Sequence, residues 1–289
     1  MILFLQNLFI KFSMKNKILI IGNKKGFIAS HIFSYFRKKK NQTSLLNFKN
    51  FIIKDKKYLS RFDLIINASV NRKFIKTRYS EKNDRDLLIA KKIKEIDSLN
   101  FVMLSTRKVY KTGVNIKEDG KIEVKCFYSK NNLKAEINIK KILNEKRILI
   151  LRISNLIGYN PYNSKKVHHT FTSIFFDHIK KNEIFDPKLY FKDFITINKF
   201  CEIILKLIKK NAHGIYNVSI GKKIYLKDII KWLNFYNPKK FIVKTIKNTN
   251  VECFTLSNKK LLNFISIKIN QIDLKRECLN LSKKFFKKV

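Results

Sequence analysis

The chain has 289 residues, 45% of them apolar, and carries 63 Lys and Arg against 21 Asp and Glu. This length suits one compact domain or two interlocked ones with a sizeable core. No run approaches the roughly 20 apolar residues of a membrane span. The formal charge of +42 raises the question of nucleic acid. Only nine of the 63 cations are Arg, however, and the lysines are spread along the whole length in company with many Ile, Asn and Phe. That joint excess is the mark of an AT-rich coding sequence. Nucleic-acid sites favour Arg forks, so nucleic acid is not the expected main partner.

Met1 to Phe12 is apolar but lacks a basic leader and a small-residue cleavage site. Residues 1–13 are expected to be a non-structural extension, with Met14 the better start. The run Lys17-Ile-Leu-Ile-Ile predicts a buried strand that turns through Gly22 and Gly26 into an amphipathic helix (Phe27, Ile28, Ile32, Phe33, Phe36). A helix N-terminus behind glycines offers amide N–H groups and a favourable dipole to a phosphate. The third small position is Ala29, and the spacing Gly-x-x-x-Gly is weak by itself; any buried strand ending at a turn can look like this.

Further strands are predicted over Thr43–Phe48, Asp63–Ala68, Phe101–Ser105 and Arg147–Ile153, with helices over Ser80–Leu99 and Cys126–Leu143. Continuous apolar strands alternating with helices signal an α/β fold, a parallel, doubly wound sheet covered on both faces. Ligands of such sheets lie beyond the carboxyl ends of the strands, where Gly22, Ala68 and Ser105 fall. Beyond Asn155 the pattern loosens, with helical stretches at Phe171–Lys181, Asn198–Lys210 and Tyr225–Phe235 and a strand at Phe241–Ile246. The expected division is a dinucleotide-binding domain over 14–155 and a smaller mixed α/β lobe over 156–289, of which 190–212 is a segment that can return to the first domain. Cys126, Cys201, Cys253 and Cys278 show no CxxC spacing and read as free thiols of a reducing, cytoplasmic compartment. His168 and His169 are chain neighbours, a poor arrangement for one metal, and no metal is expected.

The order of the pieces resembles the extended short-chain dehydrogenase/reductase family, specifically its nucleotide-sugar epimerase/dehydratase/reductase group. The matching pieces are Gly22…Gly26-Phe-Ile-Ala-Ser-His31, Asp63-Leu-Ile-Ile-Asn-Ala-Ser69, Asn83, Leu104-Ser-Thr-Arg-Lys-Val-Tyr110, Tyr128-Ser-Lys-Asn-Asn-Leu-Lys-Ala-Glu136, Leu151-Arg-Ile-Ser-Asn-Leu-Ile-Gly158, Lys192-Asp-Phe-Ile195 and Gly214-Ile-Tyr-Asn-Val218. The resemblance runs from about Lys17 to about Phe264.

It implies a Rossmann-type fold and an NAD(P)-dependent epimerase or 4-ketoreductase acting on a nucleotide-activated sugar, feeding surface polysaccharide synthesis. In the family a Tyr, matched by Tyr128, moves the proton that accompanies hydride transfer. Thr106 matches the hydroxyl that holds the substrate oxygen. The Lys that normally follows four residues after the Tyr is Asn132, which leaves the phenol without that cation. The enzyme is then slow, or it is a catalytically silent dinucleotide-binding member with a regulatory or scaffolding role. Family dehydratases carry an acidic pair after the Thr; here the pair is Arg107-Lys108, which sets dehydration aside.

By the same resemblance, Gly22, Gly26, Phe27 and Ile28 line the cofactor pyrophosphate. Asn67, Ala68 and Ser69 pass under its ribose and nicotinamide side, and Asn83 helps to close that strand end. After the second strand stand Asn47 and Lys49 rather than an acid, which leaves NAD or NADP open with a lean to NADP. Asn155 and Lys192 are matched to substrate-binding positions near the diphosphate, while Asp193 and Asn217 read as loop-bonding residues. The helices over 80–99 and 126–143 form a dimer face in many relatives, so a homodimer is one expected assembly.

Overall fold

The buried apolar runs become the strands of one parallel sheet. The computed structural model describes residues 16–160, 190–237 and 252–286, together with the backbone of the parallel pair Glu183–Phe185 and Lys244–Ile246. The expected extension over 1–13, the helix at Phe171–Lys181 and the pair His168-His169 lie outside the described residues.

Strand β1 (Lys17–Ile21) leads to helix α1 (Phe27–Lys38) and β2 (Gln42–Leu46). Strand β3 (Leu64–Asn67) follows, then α2 (Arg85–Ile93), β4 (Asn100–Thr106), α3 (Phe127–Ile142) and β5 (Ile148–Ile153). Beyond them lie β6 (Asn155–Ile157), β7 (Phe191–Lys192), β8 (Phe194–Thr196), α4 (Ile197–Lys209) and β9 (Gly214–Val218). Strand β10 (Ile224–Tyr225) and helices α5 (Leu226–Leu233) and α6 (Gln271–Phe286) complete the elements used below.

The sheet order is β9-β5-β4-β3-β1-β2, every pair parallel. The chain moves outward from β1 to β2 and returns to β3 on the other side of β1. The crevice at that reversal is where a doubly wound sheet binds its ligand. Successive residues of β1 enter opposite cores. Ile18 and Ile20 pack with α1 and α4, while Leu19 and Ile21 pack with the α2 and α3 layer. That double burial is why the run carries no polar alternation.

The sixth strand, β9, comes from beyond the expected boundary at 155, and α4 lies against α1. The sheet and the helix layer over it therefore take in elements from within 156–289, α4 and β9. The helix expected over Ser80–Leu99 is also shorter. Asp84 caps α2 by accepting from Leu87 N at 3.0 Å. A 3-10 turn over Glu81–Asn83 precedes it. Arg147 gathers the carbonyls of Ile93, Ile96 and Leu99 and so closes the other end.

Candidate active site

The cofactor seat begins at the end of β1. Gly22 N donates to Leu46 O at 2.7 Å, which holds the turn against β2. A Cβ on Gly22 would lie 2.4 Å from the Ala29 Cβ and 3.3 Å from the Ala68 carbonyl oxygen. Only a glycine lets α1 and the end of β3 approach this closely. Gly26 precedes α1 with extended backbone, and no side chain caps the helix. Its first turn holds no acidic residue, and Ser30 N is bonded back to Gly26 O at 2.9 Å. The first-turn N–H groups of Phe27 and Ile28 have no acceptor within the helix. Lys24 and Lys25 are exposed in the same loop. An uncapped, cation-flanked helix N-terminus behind a close glycine contact fits a pyrophosphate.

The end of β3 is organised by Asn67. Its Oδ1 accepts from Ser69 N at 3.0 Å and from Ser69 Oγ at 2.7 Å. Its Nδ2 donates to Asp86 Oδ1 at 2.7 Å. Ala68 N donates to Ile21 O at 2.8 Å, keeping this end beside the glycine turn. Asn83 is buried and accepts from Asn71 Nδ2 at 3.0 Å. It closes the loop after β3 from within. Asn47 accepts from Asn50 N at 2.9 Å and caps the short helix Phe48–Ile52. Lys49 is exposed there, and the Arg85 guanidinium lies 4.6 Å from the centre of the Phe48 ring. The end of β2 is thus cationic.

The reacting end lies at β4 and α3. Thr106 is the last residue of β4 and accepts from Lys108 N at 3.2 Å, starting the 3-10 turn Arg107–Val109. Tyr128 stands in the first turn of α3, and the Thr106 side chain is near enough to its phenol to pull the pKa down. Burial pushes the Tyr128 phenol above its ordinary range, and Asp86 and Cys126 add to this against Thr106. Asn132 is buried, and its Nδ2 donates to Tyr128 O at 2.7 Å. The amide turns back on its own helix with one of its two N–H donors.

Asp86 is a candidate site residue that no local signal singles out. It looks like an ordinary acid of a helix first turn, which the dipole favours. Burial and the neighbouring Asp84 push its carboxyl up to about 8, opposed by the Asn67 hydrogen bond. Its carboxyl, bonded to Asn67, therefore keeps its proton to higher pH than an ordinary aspartate.

A second group of charges adjoins Thr106. Arg107 Nη2 reaches Glu252 Oε2 at 2.5 Å, and the guanidinium lies 3.8 Å from the centre of the Phe254 ring. Lys192, on β7, is partly buried rather than free on the surface. Burial lowers its pKa, and the charges of Arg107 and Lys108 act in the same direction. Glu252 is held below the ordinary carboxylate range. Its partial burial opposes this, but Arg107, Lys108 and Lys192 together prevail. Arg107 and Glu252 stand 145 residues apart, and no local signal connects them.

Beneath this corner lies a buried polar frame. Glu136 accepts from Ser105 Oγ and pairs with Arg152 at 2.6 Å. Tyr110 Oη donates to Asn217 Oδ1 at 2.9 Å. Asn217 Nδ2 donates to Ile116 O at 2.9 Å. Asp193 accepts from the backbone N–H groups of Phe194, Gly221 and Leu256. Asn155 Nδ2 donates to Asp193 O at 3.0 Å, which joins β6 to β8. Asn217 and Asp193 bond loops together under the cleft, and Asn155 shares that task. Among the described residues no three His, Cys, Asp or Glu groups are placed to hold a metal, and no helix is long and apolar enough to cross a membrane.

No family model matches the sequence, and neither does any curated protein. Solved structures do. The chain is similar to UDP-N-acetylglucosamine 4-epimerase from Methanobrevibacter ruminantium M1 in complex with UDP-N-acetylmuramic acid. The identity is 17%, 96% of this chain and 100% of that chain are covered, and the TM-score is 0.76. It is similar to dTDP-glucose 4,6-dehydratase from Bacillus anthracis in complex with NAD, at 14% identity over 94% of this chain and 98% of that one, with a TM-score of 0.72. It is also similar to RMD from Pseudomonas aeruginosa complexed with NADPH, at 17% identity over 95% of this chain and 99% of that one, with a TM-score of 0.70. The six-stranded parallel sheet, its strand order and these likenesses give the chain the Rossmann-type fold of the three solved structures.

Proposed function

We propose that the protein is an NAD(P)-dependent member of the extended short-chain dehydrogenase/reductase family that reduces a keto group on a nucleotide-activated sugar. The observation that carries the reading is Thr106 at the carboxyl end of β4 with the Tyr128 phenol beside it, in a fold whose first strand leads to the open N-terminus of α1. The pyrophosphate would rest on the N–H groups of Phe27 and Ile28, with Gly22 and Gly26 giving it room. Asn67, Ala68 and Ser69 would pass under the ribose and nicotinamide side. A bound dinucleotide supplies or accepts a hydride there. Thr106 and Tyr128 hold the reacting oxygen, and the Tyr128 hydroxyl gives that oxygen its proton. Asn155 and Lys192 would face the diphosphate side of the substrate.

The charge environment favours reduction over epimerisation. An epimerase must first take a proton from an alcohol, which calls for a phenolate. Here burial holds Tyr128 protonated, Asp86 adds to this only where it is ionised, and Asn132 supplies no cation to oppose it. A protonated phenol is the form a ketoreductase needs at the moment of hydride arrival. Lys49 and Arg85 at the end of β2 favour NADPH through its 2′-phosphate.

The test is thermal stabilisation by NADPH, NADH and a panel of nucleotide sugars, followed by turnover with 4-keto nucleotide sugars. NADPH should stabilise more than NADH. Tyr128→Phe should keep cofactor stabilisation and lose turnover by at least about 100-fold, the ordinary scale of a positioned proton donor. Dinucleotide binding with no turnover in the unaltered protein, on any sugar tested, overturns the enzyme reading.

A further inference from the structure

Resting on the cofactor seat of that reading, we propose that Asp86 binds the dinucleotide, its Oδ2 taking the two adjacent hydroxyls of the nicotinamide ribose. The other oxygen is already engaged. Asp86 Oδ1 accepts from Asn67 Nδ2 at 2.7 Å, and Asn67 Oδ1 is taken up by Ser69 N and Ser69 Oγ. The carboxyl is thereby fixed against the end of β3. Among the described residues Oδ2 has no donor of its own, and Asp86 belongs to no ion pair. The side chain is not sealed in, since it keeps part of its surface accessible. In a chain with 63 cations and 21 acids, an acid without a cation is exceptional. A partly buried carboxyl is unfavourable unless donors meet it. Asn67 is one donor, and the free oxygen calls for another.

Position selects that donor. Ile21, Asn67 and Met103 lie abreast on β1, β3 and β4. Asp86, bonded to Asn67, therefore stands between the glycine turn after β1 and Thr106 at the end of β4. Arg85, one residue earlier on α2, lies over Phe48 beyond the end of β2. Consecutive residues of one helix thus mark the two halves of the seat, Arg85 the adenosine half and Asp86 the nicotinamide half. The pyrophosphate offers acceptors only. The ribose beside it offers two neighbouring hydroxyls, which a carboxylate accepts together and a protonated acid meets with one acceptor and one donor. An acid on a ribose hydroxyl is recognition that this fold class uses at the adenosine end; here the acid comes from α2 and serves the opposite end. The carboxamide N–H groups of nicotinamide are the competing donors.

Titration calorimetry on the full chain with three ligands tests the assignment. NADPH is the first. ADP-ribose 2′-phosphate keeps the second ribose but lacks nicotinamide, and 2′,5′-ADP lacks both. NADH, ADP-ribose and ADP replace them if the unaltered protein binds NADH more tightly. Asp86→Asn keeps an acceptor for Asn67 and removes the carboxylate. It should weaken the first two ligands about tenfold, the loss of one charge-assisted hydrogen bond, and leave the third within about twofold. Asp86→Ala should show the same split, so the ratio between ligands carries the result even where the variant is less stable. An equal fall for all three makes Asp86 a support of the fold and overturns the assignment, as does no change for any. A fall for NADPH alone gives the carboxyl to the carboxamide and overturns it too. Failure of all the ligands to bind the unaltered protein removes the cofactor seat itself.

Discussion

At the scale of single residues, Asn132 and Asp86 set the acidity of Tyr128 from two sides. Asn132 turns its amide onto the Tyr128 carbonyl. Asn132→Lys would place a cation one helical turn from the phenol, where an opposite charge at ~4–6 Å lowers a pKa by roughly 1–3 units. Ultraviolet difference titration should show the Tyr128 phenol ionising at lower pH in this variant. Any alcohol-oxidising activity should rise with it. Asp86 acts in the other sense. Its folded-state pKa of about 8 stands above the ordinary value of 3.8, so the fold prefers the protonated acid. The stability this contributes is complete below about pH 4 and is lost as pH rises through 8. Asp86→Asn keeps an acceptor for Asn67 and cannot ionise. It should match the unaltered protein in urea unfolding at pH 4–5 and exceed it by at least ~1 kcal/mol at pH 9, about the worth of one pKa unit.

At the scale of elements, the contact between the glycine turn and α1 is the tightest constraint on the cofactor seat. Gly22→Ala sets two methyl groups on a collision course, since the new Cβ would meet Ala29. The helix must shift, at a cost of about 1–3 kcal/mol, and dinucleotide affinity should fall with it. Ala29→Gly in the same chain should restore much of both, as unfolding and cofactor titration would show.

The strand–turn–helix unit was legible in the sequence because β1 is buried on both faces and its polarity changes abruptly at Gly22. The Thr106 and Tyr128 pair was legible through the order of motifs. Asp86 was not, because nothing in Asn83-Asp-Arg-Asp86 distinguishes a capping acid from one aimed at Asn67. Asp84 is the cap and Asp86 the partner of Asn67. Glu252 was hidden by its distance along the chain from Arg107. Asn47 was misleading, since its side chain is taken up by helix capping and leaves the cofactor corner to Lys49 and Arg85.

At the scale of the whole molecule, charge is the dominant property. The 63 cations exceed the acids by 42, so most lysines repel one another without an acid to answer them. Such self-repulsion weakens the compact state and is screened by salt. The melting temperature should rise by several degrees between about 0.02 and 0.5 M potassium chloride. The outer side of α3 carries Lys130, Lys134, Lys140 and Lys141 around the exposed Ile137. Pairing of two copies through that side should require the same screening, which sedimentation at the two salt concentrations would reveal.

The sixth strand carries a consequence for how the protein is made. During synthesis β5 leaves the ribosome well before its neighbour β9, with about 60 residues between Ile153 and Gly214. At ~5–20 residues per second that interval lasts roughly 3–12 s. Throughout it, one flank of a nearly finished sheet presents bare amide and carbonyl groups, an invitation to adhesion with other nascent chains. A guardian chaperone, or slow codons placed after residue 218 rather than before it, would govern the yield of this protein more than any contact in its mature form.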